Sequence, residues 1–160
     1  NRYVVVISYG VSIIKNKKIL ARDFPSYNIH LGLSRFCRGG LGNVFALAQG
    51  NFEKVGLTCH KLSNEVDTGA VLFEVFFDPE QKLENIDELT YWLVKRATSK
   101  ICSFLQDNNL KAYTVPVGKL YPNNSLTYKH VLQAISNLKE FSGHPSRDKI
   151  STSNKVRSTI

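Results

Sequence analysis

The sequence predicts an α/β fold with a mostly parallel sheet and flanking helices, and three observations carry that prediction. Tyr3-Val-Val-Val-Ile7 is β-branched and almost wholly apolar, the composition of a strand buried on both faces, as in parallel sheets. Further on, short segments alternate apolar and polar residues. After Asn85, Leu89, Leu93, Ala97, Ile101 and Leu105 recur every four residues, which draws one apolar stripe along a helix. Strands interleaved with helices define the α/β class.

The elements follow in order. The first strand ends at Tyr9-Gly10, and Lys15 to Ala21 reads as a short helix closed by Phe24-Pro25. Tyr27 to Leu31 alternates and predicts a second strand. Gly32 to Gly42 holds four glycines and two arginines and reads as a loop. Val44 to Gln49 predicts a short helix stopped by Gly50. Val55, Leu57 and Cys59 alternate with Thr58 and His60, giving a third strand to Leu62. A polar turn, Ser63 to Gly69, leads to a fourth strand, Ala70 to Phe77. Asn85 with Glu88 three residues later is a capping-box start for the long helix, which ends near Asp107-Asn108-Asn109. Leu126 to Phe141 predicts a last helix, with Leu132, Ile135 and Leu138 on one face. Residues 1–141 thus read as one domain, and 142–160, rich in Gly, Pro, Ser, Thr and charge, as a basic disordered tail.

Composition narrows the partners. Hydrophobic residues make up 42% and charged residues 21% of the 160, which excludes wholesale disorder. No apolar run, Val4 to Ile7 and Val44 to Ala48 included, comes near the roughly 20 residues of a membrane helix. Lys and Arg number 21 against 13 Asp and Glu, a net +8 that favours anionic partners. Part of that charge lies on Lys139 to Ile160, so nucleic acid is the weakest of the candidates. Cys37, Cys59 and Cys102 lack any CxxC spacing, which argues against a disulfide framework or zinc ribbon and fits a reducing, cytoplasmic setting. His130 and His144 have no partners at ligand spacing, so no metal is expected. The chain begins at Asn1 and contains no Met, so it reads as processed, tagged or cut from something longer.

Two residues draw attention as chemistry. Asn28 and His30 lie two apart on a strand, so their side chains share a face. They stand at the strand's carboxyl end, where open α/β sheets form their sites. A carboxamide donor beside an imidazole can hold an oxyanion and move a proton. Asp67, in the turn Glu65-Val66-Asp67-Thr68-Gly69, could reach His30, fix its tautomer and favour its protonated form. Each residue alone has an ordinary structural explanation. His60, which shares parity with Thr58, reads as structural.

Taken as an ordered set, Asn28-Ile29-His30, Arg38-Gly39, Gly56-Leu57-Thr58-Cys59-His60 and Glu65-Val66-Asp67-Thr68-Gly69 resemble the folate-dependent formyltransferases. These include the glycinamide ribonucleotide, methionyl-tRNA and amino-sugar enzymes. The resemblance runs from Tyr3 to Phe77 and more loosely through the helix after Asn85. It implies a Rossmann-like domain and a 10-formyltetrahydrofolate donor attacked by a primary amine of an anionic or nucleotide-linked acceptor. Asn28 would donate to the oxyanion, His30 would stabilise it and carry the proton, and Asp67 would orient or charge His30. The pterin would lie against Ser12, Ile13 and Ile14 and against Ser63, Asn64, Glu65 and Val66. Arg35 stands where members often have Pro, so the loop from Ser34 to Gly40 is expected to run differently. The resemblance also implies that roughly the first half of the domain precedes Tyr3, so that Tyr3 to Ile7 is an interior strand completed by that half or by a partner chain. The alternative is a non-catalytic interaction module using that exposed edge.

Overall fold

A computed structural model describes residues 5–11, 14, 24–107 and 111–143. The helix expected over Lys15–Ala21, the start of the Tyr3 strand, and residues 144–160 of the tail lie outside that set. The described elements are β1 (Val6–Tyr9), β2 (Ser26–His30), β3 (Cys37–Gly39), α1 (Gly42–Ala48), β4 (Gly56–Lys61), β5 (Val71–Phe76), α2 (Ile86–Asp107), β6 (Lys119–Tyr121) and α3 (Tyr128–Gly143). They form a four-stranded sheet in the order β1-β2-β4-β5 and a two-stranded sheet of β3 and β6.

The α/β class and the flanking helices hold, but among the described residues the main sheet is mixed rather than mostly parallel as expected. β1 with β2 and β3 with β6 are parallel, whereas β2 with β4 and β4 with β5 are antiparallel. For β4 and β5 the reason is local: they are joined by a turn too short to return the chain to the same end of the sheet. The alternation that defined each strand is symmetric in direction and holds no record of it.

The sheet has two unlike faces. Residues opposite one another across a ladder share a face. On one side Ile29, Leu57, Cys59, Phe73 and Val75 join the core with Leu89, Leu93, Ala97 and Ile101 of α2. Phe73 and Phe104 stack there with ring centres 5.5 Å apart. Leu93 and Ala97 have no exposure at all, while Leu105, the last residue of the expected stripe, is 41% exposed. On the other side the paired positions read Ser8, Asn28, His30, Thr58, His60 and Glu74. This polar face is covered by the chain from Gly32 to Cys37. Thr58 Oγ1 accepts from the Ser34 N–H at 3.0 Å and donates to the Gly32 carbonyl at 2.9 Å.

Arg35 has its explanation on the same face. Its guanidinium forms a two-pronged ion pair with Glu74, with Nε 2.9 Å from Oε1. The Glu74 side chain is almost wholly buried, so the pair anchors the loop to β5. The stretch read as loop therefore contains a strand. β3 forms because Gly39 lets the backbone come close to Tyr121, where a Cβ would lie 2.4 Å from the Tyr121 carbonyl oxygen. β6 left no pattern in the sequence, because three residues are too few to show one.

The helices begin and end for identifiable reasons. Asn85 Oδ1 accepts from the Glu88 N–H, and Glu88 reaches back to the Glu84 N–H and the Asn85 side chain, all at 2.9 Å. The Glu88 N–H is a donor that the first turn of α2 would leave unpaired, and the two bonds back to Glu84 and Asn85 fix the entering chain. α1 packs on α3, where Asn137 Nδ2 donates to the Leu47 carbonyl at 2.6 Å and the Ala48 carbonyl at 3.2 Å. The face α3 buries differs from the one expected. Ala134 and Leu138 are fully buried, but Leu132 is 48% exposed, because the seam follows Val131, Ala134, Leu138 and Phe141. α3 also runs to Gly143, two residues into the expected tail, and Ser142 Oγ donates to the Leu83 carbonyl at 2.7 Å. Among the described residues no helix is long and apolar enough to cross a membrane.

Candidate active site

The polar face opens at one end into a cleft of about 770 Å³, lined by Asn28, His30, His60 and Asp67 among others. Volumes of this order hold small-molecule ligands. Three elements build its floor. β2 supplies Asn28 and His30, β4 supplies His60, and the β4–β5 turn supplies Asp67. The register places Asn28 opposite His60 and His30 opposite Thr58, so the parity read from the sequence becomes a cross-strand cluster.

Asp67 sits at φ 52°, a left-handed conformation that aspartate tolerates better than most residues. The turn is fixed by Gly69, where a Cβ would fall 1.7 Å from the Lys61 carbonyl oxygen, so no other residue fits. Ser63 Oγ donates to the Glu65 carbonyl at 2.8 Å and lies 3.1 Å from Thr68 Oγ1. This geometry aims the Asp67 carboxylate inward. Oδ2 accepts from the Gly39 N–H at 2.8 Å and lies 3.3 Å from His30 Nδ1, while Oδ1 lies 3.2 Å from His60 Nε2.

Burial pushes the Asp67 carboxyl up, but the His60 hydrogen bond, the charge of His30 and the Gly39 N–H outweigh it and hold the carboxyl below its ordinary value. His30 shifts downward. Its burial outweighs the pull of Asp67 and of the Cys37 carbonyl, and His60 acts in the same direction as burial. A buried imidazole that resists protonation yet faces a carboxylate is suited to accept a proton and be stabilised once it has done so. His30 Nε2 lies 3.0 Å from the Cys37 carbonyl oxygen. Gly32 makes room for the ring, since a Cβ there would lie 2.6 Å from Nε2.

Asn28 is oriented by Ser8, whose hydroxyl donates toward Asn28 Oδ1 at 2.9 Å and the Tyr27 carbonyl at 3.1 Å. The carboxamide oxygen is thereby occupied and the Nδ2 donors face the cleft, at the long distance of 3.5 Å from His60 Nε2.

Of the residues expected to meet a pterin, Ile14, Ser63, Glu65 and Val66 line the cleft, whereas Ser12 and Ile13 lie outside the described residues. Asn64 is exposed on the same turn and does not line the cleft. Sequence reasoning missed Ser8 and the wall from Leu120 onward, and it named Arg38 and Gly39 only as part of the ordered motif. Ser8 and the Gly39 N–H act through pairing that no local pattern encodes. Arg38 joins the turn to the far wall, donating to the Val66 carbonyl at 3.2 Å and the Gly118 carbonyl at 2.8 Å. That wall, Leu120 to Asn124, arrives through the β3–β6 ladder, and Tyr121 is stacked on Phe45 at 4.5 Å. His60 was visible by parity and as the end of the motif Gly56 to His60, and its partner was not. Among the described residues no group of histidines, cysteines and carboxylates is arranged to hold a metal ion.

No protein-family model and no curated protein sequence matches the chain. Solved structures do. The chain is similar to a sugar N-formyltransferase from a Shewanella species, with TM-score 0.63 and 21% identity, over 89% of this chain and 61% of that one. It is similar to a 4-N formyltransferase from Francisella tularensis, with TM-score 0.62 and 17% identity, over 89% of this chain and 62% of that one. It is also similar to the formyltransferase PseJ from Anoxybacillus kamchatkensis, with TM-score 0.63 and 14% identity, over 84% and 77% of the two chains. That last structure contains a UDP-linked 4-formamido sugar and tetrahydrofolate. The fold of this chain is that of the formyltransferase domain. Within that class its structural neighbours include the sugar N-formyltransferases, and it spans about three-fifths of the length of the first two.

Proposed function

We propose that the chain carries the catalytic site of a folate-dependent formyltransferase, moving a formyl group from 10-formyltetrahydrofolate to a primary amine of an anionic, nucleotide-linked acceptor such as an amino sugar. The observation that supports this most is the convergence of Asn28, His30 and Asp67 on one cleft. A structural neighbour that contains tetrahydrofolate and a nucleotide-linked formamido sugar points the same way.

In this reading the acceptor nitrogen attacks the formyl carbon and forms a C–N bond. The carbonyl electron pair moves to oxygen, where the Asn28 carboxamide donates to it. His30 takes the proton released by the nitrogen, and Asp67 stabilises the resulting imidazolium. Collapse re-forms the carbonyl and breaks the bond to N10 of the folate, which takes the proton back from His30. The products are the formamide and tetrahydrofolate. The donor would rest against Ile14 and the turn Ser63 to Val66. The acceptor identity is set elsewhere in the cleft. The absence of CxxC cysteine pairs fits a cytoplasmic location.

The test is incubation with 10-formyltetrahydrofolate and a panel of nucleotide-linked amino sugars, reading tetrahydrofolate release and formamide together. Turnover should fall about 10²–10³-fold in Asn28→Ala, the usual effect of losing one oxyanion donor. A protein that neither binds nor consumes the folate rules the reading out.

A second reading is favoured by one observation. Among the described residues β1 is the edge of the main sheet, and Ile7 is 38% exposed there. An unpaired apolar edge invites another strand, as in an interaction module. A stable monomer in solution with an unpaired edge would count against it.

A further inference from the structure

His30 and His60 confront the same carboxylate, and the four ring nitrogens all face oxygen. His30 Nε2 faces the Cys37 carbonyl at 3.0 Å, and Nδ1 faces Asp67 Oδ2 at 3.3 Å. His60 Nδ1 faces the Lys61 carbonyl at 2.9 Å, and Nε2 faces Asp67 Oδ1 at 3.2 Å. A carbonyl oxygen only accepts, so each ring gives one N–H to the backbone. In the neutral rings both nitrogens turned to Asp67 then carry no proton and meet carboxylate oxygens, and His60 Nε2 has in addition only the long approach of Asn28 Nδ2 at 3.5 Å. One added proton fills one of the two contacts. A second fills the other but sets two cations on opposite sides of a single carboxylate. The first proton is favoured by Asp67 and the second is opposed by the first.

We propose that His60 is a positioning residue of the site, and that His30, Asp67 and His60 form one unit sharing a proton across the carboxylate. This deepens the formyl-transfer reading and rests on it for its purpose. The one proton the unit favours is then the one His30 takes from the attacking amine, and His60 holds Asp67 in place to share it. His60 is fixed in this role by its backbone bond to Lys61 and by 3% exposure. The other charged or titratable groups nearby are Tyr9 of β1, Cys37 and Arg38 of β3, Lys61 of β4, Glu65 of the turn and Tyr121 of β6. Among the described residues none of their side chains makes a hydrogen bond or ion pair to either ring. Asp67 is therefore the group through which the rings communicate.

The experiment is a pH titration of the imidazole carbon-bound protons of the chain by NMR, which needs neither donor nor acceptor. Its outcome is therefore separate from that of the turnover assay. Strongly interacting sites titrate in macroscopic steps that belong to the group of residues rather than to one of them. The His30 curve of the unmodified chain should show two steps. In His60→Gln it should collapse to one step and move to higher pH by about 1 unit, the scale at which coupling becomes visible. The upward direction follows because the competing cation is gone while Asp67 remains. His60→Asn, shorter by one methylene, should shift the curve in the same direction if the glutamine variant folds poorly. A single-step His30 curve in the unmodified chain overturns the proposal. So does a His30 midpoint that is unchanged, or moves to lower pH, in the folded variants.

Discussion

Along β4 and β5 the two faces of the main sheet are both buried and are held together differently. At Leu57, Cys59, Phe73 and Val75 the strands meet α2 through shape and volume. One residue away along the same backbone, Thr58, His60 and Glu74 are buried just as deeply, and each is tied by a hydrogen bond or ion pair to another element. Burial therefore does not by itself separate core from site. The apolar face is non-directional and forgiving of chemistry at constant volume. The polar face fixes directions, and so it can hold Asn28, His30 and Asp67 in register around a cleft.

The sharpest way to break this contrast is to strip one partner from the Arg35–Glu74 ion pair. Arg35→Met should leave the Glu74 carboxylate uncompensated and cost about 3–5 kcal/mol, read as a lower urea midpoint. The double variant Arg35→Met/Glu74→Leu should recover most of that loss, because apolar residues of similar volume replace such pairs at little cost. A double variant as unstable as the single one would mean that the loop needs the charge itself.

Adjacent positions on β4 give the next test. Thr58→Val keeps the shape and removes both hydrogen bonds, so it should cost about 1–3 kcal/mol. Leu57→Ile also keeps the volume and should cost less than about 1.5 kcal/mol. Urea denaturation of the two variants side by side checks the ordering, and equal costs would erase the distinction between the faces.

The smallest effect is on pH dependence. His30 is held below its ordinary value of 6.5, so below that pH the unfolded chain takes up a proton that the folded ring resists. The contribution of His30 should be flat above pH 6.5 and should fall as the pH drops from 6.5 toward its folded value. Asp67 has the depressed carboxylate's behaviour. Its contribution is present above its ordinary 3.8 and is lost as the pH falls through its lower folded value. In His30→Gln the first decline should disappear and the second remain, as followed by urea midpoints across the pH range.

Much of this contrast could be read from the sequence, and the limits of that reading are physical. Alternation placed Asn28 with His30 and separated Val55, Leu57 and Cys59 from Thr58 and His60, because side-chain parity is a local property of a strand. The capping residues Asn85 and Glu88 were legible for the same reason. Pairing direction, the β3–β6 ladder and the Arg35–Glu74 bond were not, since each joins segments whose separation leaves no periodic trace. Leu132 misled because two apolar stripes fit α3, and only packing against α1 selects between them. At the site, the three residues expected to act together do converge, and the resemblance that singled them out rests on their order. Asp67's second partner stayed hidden because a histidine inside a strand looks like any buried polar residue until the register is known.

The most direct test of the division between the faces is to add tetrahydrofolate to isotopically labelled chain and follow backbone and imidazole resonances. Shifts should concentrate at His30, His60, Glu65, Val66 and Asp67 around the cleft, and leave Leu57, Cys59, Leu93 and Ala97 unmoved. Perturbations centred on the α2 side, or none at saturating folate, would contradict the account.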